Sequence, residues 1–321
     1  MPEATFHIVL LDGLAPEGLE VLAREPRIRV SQPPRPAPPA ILRQADAIIV
    51  RSASTITEEM MAAAPKLKLI ARPGSGVDNI DVEAATRRGI AVMSAPDGNA
   101  VAAAEHTLAL LMALARRIPQ TAAALKAGRW EKGAPLGVEL CGKTLGLVGL
   151  GRVGRAVAER ARGLGMRVIA HDPFLGTVQA EAFGVPSVPL EDLYARSDVV
   201  SVHVPLSPGT RGLIGREALG RMRPGALLVN CARGGIVDEE ALAEALEAGH
   251  LGGAALDVFA QEPPPPDHPL LRMDNVVATP HRGAATPEAQ AQVSRAIAEQ
   301  VLGFLLRSER LGVLNAPALD S

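Results

Sequence analysis

Residues 143–172 read KTLGLVGLGRVGRAVAERARGLGMRVIAHD. An apolar run at 144–148 has the length of a buried strand, and the residues after 151 repeat their apolar side chains at helical spacing. A second apolar run at 167–170 ends close to Asp172. The stretch therefore predicts a strand, a glycine turn, a helix and a second strand that ends near an acid.

Each glycine of this turn has a predicted task. Gly149 permits the tight turn, Gly151 leaves room for phosphates, and Gly154 lets the helix pack closely on the strand. A pyrophosphate binds at such a helix N-terminus because unpaired N–H groups and the positive end of the helix dipole meet it there. Asp172 stands eighteen residues past Gly154, where an acid accepts hydrogen bonds from ribose hydroxyls. A glycine triplet alone can be a simple turn, but the flanking strands and the acid favour a dinucleotide site.

The predicted cofactor is NAD. Asp172 would repel the 2′-phosphate of NADP, and the residues that follow it, Pro173 and Phe174, include no arginine to receive that phosphate. Two positions that open the predicted helix, Arg152 and Val153, complete the expected phosphate-side contacts.

Composition limits the function classes. A length of 321 residues predicts two domains, and 47% hydrophobic with 21% charged residues is typical of globular proteins. A net charge of −2 gives no broad field for nucleic acid or membrane, and 2% aromatic residues leave few platforms for stacked bases. Two cysteines, no apolar run of membrane length and no leader-like start predict a cytoplasmic protein without a disulfide framework or a metal site.

Strands and helices alternate along the chain, which predicts parallel α/β sheets. The first series has predicted strands at 6–11, 47–50, 67–71 and 90–93, with prolines at 33–39 as a stiff connector. The second has predicted strands at 144–148, 167–170, 199–202, 226–229, 254–256 and 276–278. A last helix, from 287 to about 306, is long enough to cross back to the first series. We therefore predict a discontinuous substrate-binding domain of residues 1–97 and 287–321, and a nucleotide-binding domain of residues 98–286.

A helix predicted over 99–117 is apolar around too much of its circumference for a one-sided surface helix. We expect it to be buried between domains or against another subunit. Together with Trp130, it favours a homodimer, or a homotetramer built from such dimers.

Polar residues follow three strands of the second series, and ligands of doubly wound sheets bind at the carboxyl ends of strands. Arg233 follows one strand, Asp257 the next, with Glu262 five residues later, and His281 the last. Each could be an ordinary ion pair or structural side chain when taken alone. Beside a dinucleotide they predict hydride transfer, because histidine suits proton removal, a carboxylate partner such as Glu262 favours the imidazolium, and an arginine fork holds a substrate carboxylate.

The motifs GLGRVG with Asp172, NCARGGIVDE, LDVFAQEP and TPH together resemble those of the D-isomer-specific 2-hydroxyacid dehydrogenases over nearly the whole chain. The resemblance implies a Rossmann nucleotide-binding domain and a smaller flavodoxin-like substrate domain, both doubly wound parallel sheets. It also implies Arg233, Glu262 and His281 as the catalytic trio. The NAD contacts expected beyond the glycine turn are Pro205, Thr210, Cys231, Ala232 and Asp257. The substrate contacts expected are Arg51, Ser52, Arg72, Gly74, Gly76, Val77, Asn99 and Lys132.

Within this family the phosphoglycerate dehydrogenase branch is the most similar, through VRSAS at 50–54, GSGVDNIDVEAATRRGI at 74–90 and GRWEKG at 128–133. The expected substrate is therefore D-3-phosphoglycerate, in a short form that ends at Ser321 without a regulatory domain. Lys132 and Arg282 depart from the usual pattern of arginine and an aliphatic residue. Two alternatives stay open: a glyoxylate or hydroxypyruvate reductase with the same trio, and an NAD-sensing corepressor without turnover.

Overall fold

The computed structural model describes residues 5–133, 135–176 and 182–319. Its strands are β1 (Phe6–Leu10), β2 (Ile28–Ser31), β3 (Ala47–Ile49), β4 (Leu69–Arg72), β5 (Ala91–Ser94), β6 (Thr144–Val148), β7 (Arg167–His171), β8 (Val199–Val202), β9 (Leu227–Asn230), β10 (Gly253–Leu256) and β11 (Val276–Ala278). Its helices are α1 (Pro16–Ala23), α2 (Pro39–Leu42), α3 (Glu58–Ala62), α4 (Val82–Arg87), α5 (Ala100–Ala115), α6 (Ile118–Lys126), α7 (Arg152–Gly163), α8 (Leu190–Arg196), α9 (Arg216–Arg221), α10 (Glu239–Glu247), α11 (Pro287–Arg307) and α12 (Ala316–Leu319). Short 3₁₀ helices cover Pro96–Asn99 and Pro269–Arg272.

The chain divides into two compact units, residues 1–99 with 285–321, and residues 100–284. In the first unit, five parallel strands lie in the order β2-β1-β3-β4-β5, which is the flavodoxin-like order. Helix α11 returns the chain to this unit and packs on α1, with Ile297 and Val301 fully buried among the residues of the sheet. The strand order reverses between β1 and β3, so the polar residues at their carboxyl ends lie where such sheets bind ligands.

The second unit contains six parallel strands in the order β11-β10-β9-β8-β6-β7. Residues 186–188 add to the outer edge, because Ala170 pairs with Ser187 and its carbonyl accepts a hydrogen bond from Val188 N at 2.9 Å. Counted from that edge, the order is that of a Rossmann dinucleotide fold with one further strand. The carboxyl ends of β6, β8, β9 and β10 therefore meet along one edge.

Helix α5 packs within the second unit on α7 and on strands β9, β10 and β11. Leu108, Leu111 and Leu114 are buried on that side, whereas Val101 and Met112 are 53% and 38% exposed. The strongly apolar composition of this helix therefore serves the core of its own unit on one side and leaves apolar side chains on the protomer surface on the other.

Two elements of the first unit differ from the sequence prediction. Strand β2 was not predicted because it is a short edge strand with only partial burial and Arg29 at its second position. The proline-rich connector ends one residue earlier than predicted, since Pro39 begins α2, at a first-turn position where its missing N–H costs nothing. Across the described residues, no helix combines the length and the apolar character that crossing a membrane requires.

Candidate active site

The glycine turn after β6 shows two kinds of glycine. Gly149 has φ +99°, and a Cβ there would lie 2.7 Å from the carbonyl oxygen of His203. A Cβ at Gly154 would lie 2.4 Å from the carbonyl oxygen of Gly149, so a side chain at either position would require backbone atoms to shift. Gly151 differs, because a Cβ there would meet nothing within 4 Å. This glycine leaves open space in front of the first turn of α7, whose N-cap it forms without a capping side chain.

Asp172 is held beside this turn. Its Oδ2 accepts a hydrogen bond from Leu150 N at 2.9 Å, and its Oδ1 accepts one from Phe174 N at 3.0 Å. Arg152 is exposed in the first turn of α7, and Val153 packs against the core beneath it. A helix N-terminus with open space before it and a fixed carboxylate at its side fits a dinucleotide, which presents phosphates to the first and ribose hydroxyls to the second.

The loop after β8 is folded by its own hydrogen bonds. Thr210 Oγ1 donates to the carbonyl of Pro205 at 2.6 Å and accepts from Ser207 N at 2.8 Å. His203, at the start of this loop, is 2.9 Å through its Nε2 from Ser201 Oγ, and burial of its ring lowers the pKa of His203 to about 4. His203 is therefore neutral at physiological pH, and its backbone N–H donates to the carbonyl of Val148, directly before the glycine turn, at 2.7 Å.

The residues after β9 form a compact turn. Asn230 Oδ1 accepts from Ala232 N at 3.0 Å, Asn230 Nδ2 donates to the carbonyl of Arg233 at 3.0 Å, and Arg233 Nη1 donates to the carbonyl of Ala232 at 2.7 Å. Burial raises the pKa of the Cys231 thiol to about 12. A thiol that stays protonated is a weak nucleophile, so Cys231 contributes packing and not covalent chemistry.

Asp257, after β10, organises the neighbouring turn. Its side chain is 1% exposed, and it accepts from Thr279 Oγ1 at 2.5 Å, from Arg282 N and Gly283 N at 2.8 Å, and from His106 Nε2 at 3.1 Å. Its backbone carbonyl also accepts from His281 N at 2.8 Å. The turn over 279–283 is therefore built around one buried carboxylate.

His281 and Glu262 form a close pair, with 2.7 Å between His281 Nδ1 and Glu262 Oε2. Glu262 is fixed from behind by Phe259 N, which donates to Oε1 at 3.1 Å. Burial pushes the pKa of Glu262 upward, but the hydrogen bond and charge of His281, the Phe259 N–H and the charge of Arg233 together hold that pKa below the usual glutamate range. Because Nδ1 faces the carboxylate, Nε2 is the ring atom left for a substrate proton. A largely apolar pocket of about 420 Å³ adjoins the pair and also touches Phe259 and Leu271.

In the first unit, Arg51 and Ser52 lie at the carboxyl end of β3 and line a pocket of about 440 Å³ with Asp12 and Arg35. Asp12 is 3% exposed, accepts from Arg51 N at 2.6 Å and is 2.5 Å from Arg35 Nη2. The guanidinium of Arg51 donates to the side-chain oxygen of Gln290 on α11. Arg51 is therefore fixed at both its backbone and its charged end.

The loop after β4 carries the other predicted substrate contacts. Arg72 donates to the carbonyl of Gly76, and Gly74, at φ +140°, accepts from Ala95 N at 3.1 Å through its carbonyl. Asn99 reaches the same loop, with Nδ2 at 3.4 Å from Ser75 Oγ, and Val77 packs against the core. Lys132 belongs to the second unit, where it is exposed beside Trp130 and Glu131.

Three residues that contact these sites were not among the predicted ones. His106 contacts Asp257, Asp12 holds the backbone of Arg51, and Gln290 holds its guanidinium. A histidine inside the apolar run AEHTLALL and an acid directly after a strand were sequence signals for the first two. Gln290 had no such signal, because it lies 239 residues from Arg51 in the chain.

Comparison with known protein families identifies a match for most of the second unit. Residues 108–283 match the family model described as D-isomer specific 2-hydroxyacid dehydrogenase, NAD binding domain, which is more than half of the chain. The chain belongs to the D-isomer specific 2-hydroxyacid dehydrogenases. As a member of this family it carries an NAD-binding domain, and the open space at Gly151 with the fixed Asp172 is consistent with that cofactor.

Individual relatives and solved structures of the family are similar to this chain over most of its length. A D-3-phosphoglycerate dehydrogenase of Archaeoglobus fulgidus is 50% identical over 275 residues, which is 86% of this chain and 52% of that protein. The chain thus spans about half the length of the curated relatives it matches. Among solved structures, the TT0316 protein of Thermus thermophilus has 40% identity and a TM-score of 0.85, over 96% of this chain and all of that one. A glyoxylate reductase of Paecilomyes thermophila has 31% identity and a TM-score of 0.88, over 99% and 100%.

Proposed function

We propose that this chain oxidises D-3-phosphoglycerate to 3-phosphohydroxypyruvate with NAD, a reaction of serine biosynthesis. The observation that carries the chemistry is the 2.7 Å contact between His281 and Glu262 at the carboxyl edge of the dinucleotide sheet. The choice of substrate is supported by relatives with 50% and 48% sequence identity that are named D-3-phosphoglycerate dehydrogenase. A rate panel with NAD and phosphorylated and unphosphorylated 2-hydroxy acids tests both parts, and no turnover of any of them would contradict the proposal.

The contact between His281 and Glu262 supports the proton-transfer roles that we propose. His281 Nε2 accepts the proton of the substrate hydroxyl, while Glu262 orients the ring through Nδ1 and stabilises the imidazolium that results. Bound NAD would accept the hydride. Arg233, held by the turn after β9, provides a permanent charge that binds the substrate carboxylate and polarises the carbonyl of the product.

Substrate anions require donors, and the first unit supplies them. We assign the carboxylate to backbone N–H groups of the loop with Gly74, Gly76 and Val77, a turn that can serve as an anion-binding nest. We assign the phosphate to Arg51, whose guanidinium donates to Gln290. Arg72 supports the loop by bonding the carbonyl of Gly76.

A second candidate function is reduction of glyoxylate or hydroxypyruvate. It is favoured by the glyoxylate reductase that matches this structure over nearly the full length of both chains. Both functions use the same proton-transfer pair, so the difference lies in the phosphate contacts. The relative rates on D-3-phosphoglycerate and D-glycerate decide between them.

Replacing Asp172 by alanine should narrow the preference for NAD over NADP. The carboxylate, held 2.9 Å from Leu150 N, would accept ribose hydroxyls and repel a 2′-phosphate, so its loss raises KM for NAD by about tenfold. Initial rates with each cofactor at a fixed substrate concentration measure the change. Asp192→Ala, on α8, is a matched control, and an unchanged NAD to NADP ratio in Asp172→Ala would remove this residue from the ribose site.

The protomer is expected to dimerise through the surface around α5 and α6. Val101, Leu125, Trp130 and Leu136 are 53%, 57%, 74% and 95% exposed, which makes this region unusually apolar for a free surface. Sedimentation at micromolar concentration should give a mass of twice the 33.4 kDa chain. Trp130→Glu should weaken that dimer and Phe174→Glu should not, and a wild-type monomer at every concentration would contradict the assignment.

A further inference from the structure

We propose that His106 is a positioning residue for proton transfer, which ties α5 to Asp257 and Thr279 and thereby fixes the turn that presents His281. This inference rests on the proposed function. His106 lies in the middle of α5, among alanine and leucine residues, and its side chain is 21% exposed. Its Nε2 is 3.1 Å from both Asp257 Oδ1 and Thr279 Oγ1.

The protonation of His106 at Nε2 follows from its neighbours. Asp257 accepts from the backbone N–H groups of Arg282 and Gly283, which can only donate, so its carboxylate is used as an acceptor on both oxygens. The hydroxyl proton of Thr279 is given to Asp257 Oδ1 at 2.5 Å, so its oxygen is also an acceptor toward His106. Both neighbours of Nε2 therefore accept, and His106 must carry a proton there.

The hydrogen bonds of Asp257 hold the turn on both sides of His281. Thr279, Arg282 and Gly283 surround His281 in sequence, and each bonds the carboxylate of Asp257. His281 itself sits at φ +51°, in the left-handed region that residues other than glycine adopt infrequently, and it donates its backbone N–H to Asp257 O at 2.8 Å. Without His106, the buried carboxylate would lose its link to α5. The ring of His281 would then no longer be held in the orientation that keeps Nδ1 on Glu262.

Two substitutions separate positioning from packing. His106→Leu fills a similar volume without a donor, and His106→Gln returns an N–H donor at nearly the same reach. We expect kcat to fall about 10- to 100-fold in His106→Leu with KM values changed less than about threefold, because small misplacements of a catalytic group act mainly on the chemical step. His106→Gln should recover most of that loss. His250→Leu, which removes a ring hydrogen-bonded to Leu219 O on the same unit, is the matched control and should keep full activity.

Nitrogen-15 NMR of histidine-labelled wild-type protein gives a readout that needs no turnover. The resonances absent from His106→Gln identify His106, and they should show a proton on Nε2. Full kcat in His106→Leu, equal losses in the leucine and glutamine variants, or a neutral ring protonated only at Nδ1 would each overturn the proposal. Failure of the proposed function is distinct, since it would show as a wild-type protein without turnover whatever the state of the ring.

Discussion

The His281→Ala variant is expected to lose about 10²–10⁴-fold in kcat while its affinity for NAD stays unchanged. The ring supplies the only proton acceptor that we assign to the reaction, and it lies outside the glycine turn that we assign to the dinucleotide. NADH formation followed by absorbance gives kcat, and calorimetry with NAD gives the affinity. Glu262→Gln should lose less, because an amide oxygen can still accept from Nδ1 but carries no charge to stabilise the imidazolium.

One control variant makes this result specific. His268→Ala removes another partly buried histidine of the same unit that is also paired with a glutamate, Glu239, at 3.0 Å. It should keep at least about a third of the wild-type rate, since neither His268 nor Glu239 is assigned to the reaction. If His281→Ala and His268→Ala fall equally, the loss comes from disturbance of the unit and His281 is not the base.

Arg51→Ala should lower kcat/KM for D-3-phosphoglycerate by about 10- to 100-fold and leave unphosphorylated D-glycerate nearly unaffected, because a charge-assisted contact to an anion contributes about 1.5–3 kcal/mol. The guanidinium is already oriented by Gln290, so little side-chain entropy remains to be lost on binding. Arg24→Ala, directly after α1 in the same unit, is the matched control, since the side chain of Arg24 is 79% exposed and its described ion pair is with the exposed Glu20. Steady-state kinetics with both substrates measure the ratio of kcat/KM for D-3-phosphoglycerate to kcat/KM for D-glycerate.

The ratio also decides between the two candidate functions. An equal loss on both substrates would mean that Arg51 binds a group that they share, such as the carboxylate, and the phosphate assignment would fail. Reduction of glyoxylate or hydroxypyruvate would then become the better description. Gln290→Ala should follow Arg51→Ala in direction with a smaller loss, because it frees the guanidinium without removing its charge.

The parts of the fold that sequence predicts well are those where local chemistry and tertiary structure demand the same residue. The glycines at 149 and 154 are examples, since the turn and the packing of α7 leave no room for a Cβ. Residues 186–188 show the opposite case. They extend the sheet through an isolated pairing with Ala170, which is too short to leave a period-2 pattern in the sequence.

The residues of the candidate site also differ in how well the sequence predicts them. Residues directly after strands, such as Asp257 and Arg233, could be selected because topology brings carboxyl ends of parallel strands to one edge. His106 stands out in the sequence only as a histidine inside an apolar run, since helical periodicity does not identify its partner, a buried carboxylate 151 residues later in the chain. Gln290 was hidden for the same reason, because its partner lies on an element near the other end of the sequence.

The difference between Gly151 and the two glycines that flank it offers a way to read other sequences of this type. Alanine or serine at 149 or 154 would collide with backbone atoms and should appear only in chains that have remodelled the turn, whereas a Cβ at 151 would meet no atom within 4 Å. Any selection for glycine at 151 therefore comes from a bound ligand and not from the packing of the protein. A related protein that no longer binds a dinucleotide should first lose glycine at this position. A residue other than glycine at 151, with glycine kept at 149 and 154, is therefore the expected sign of a protein that has lost dehydrogenase activity.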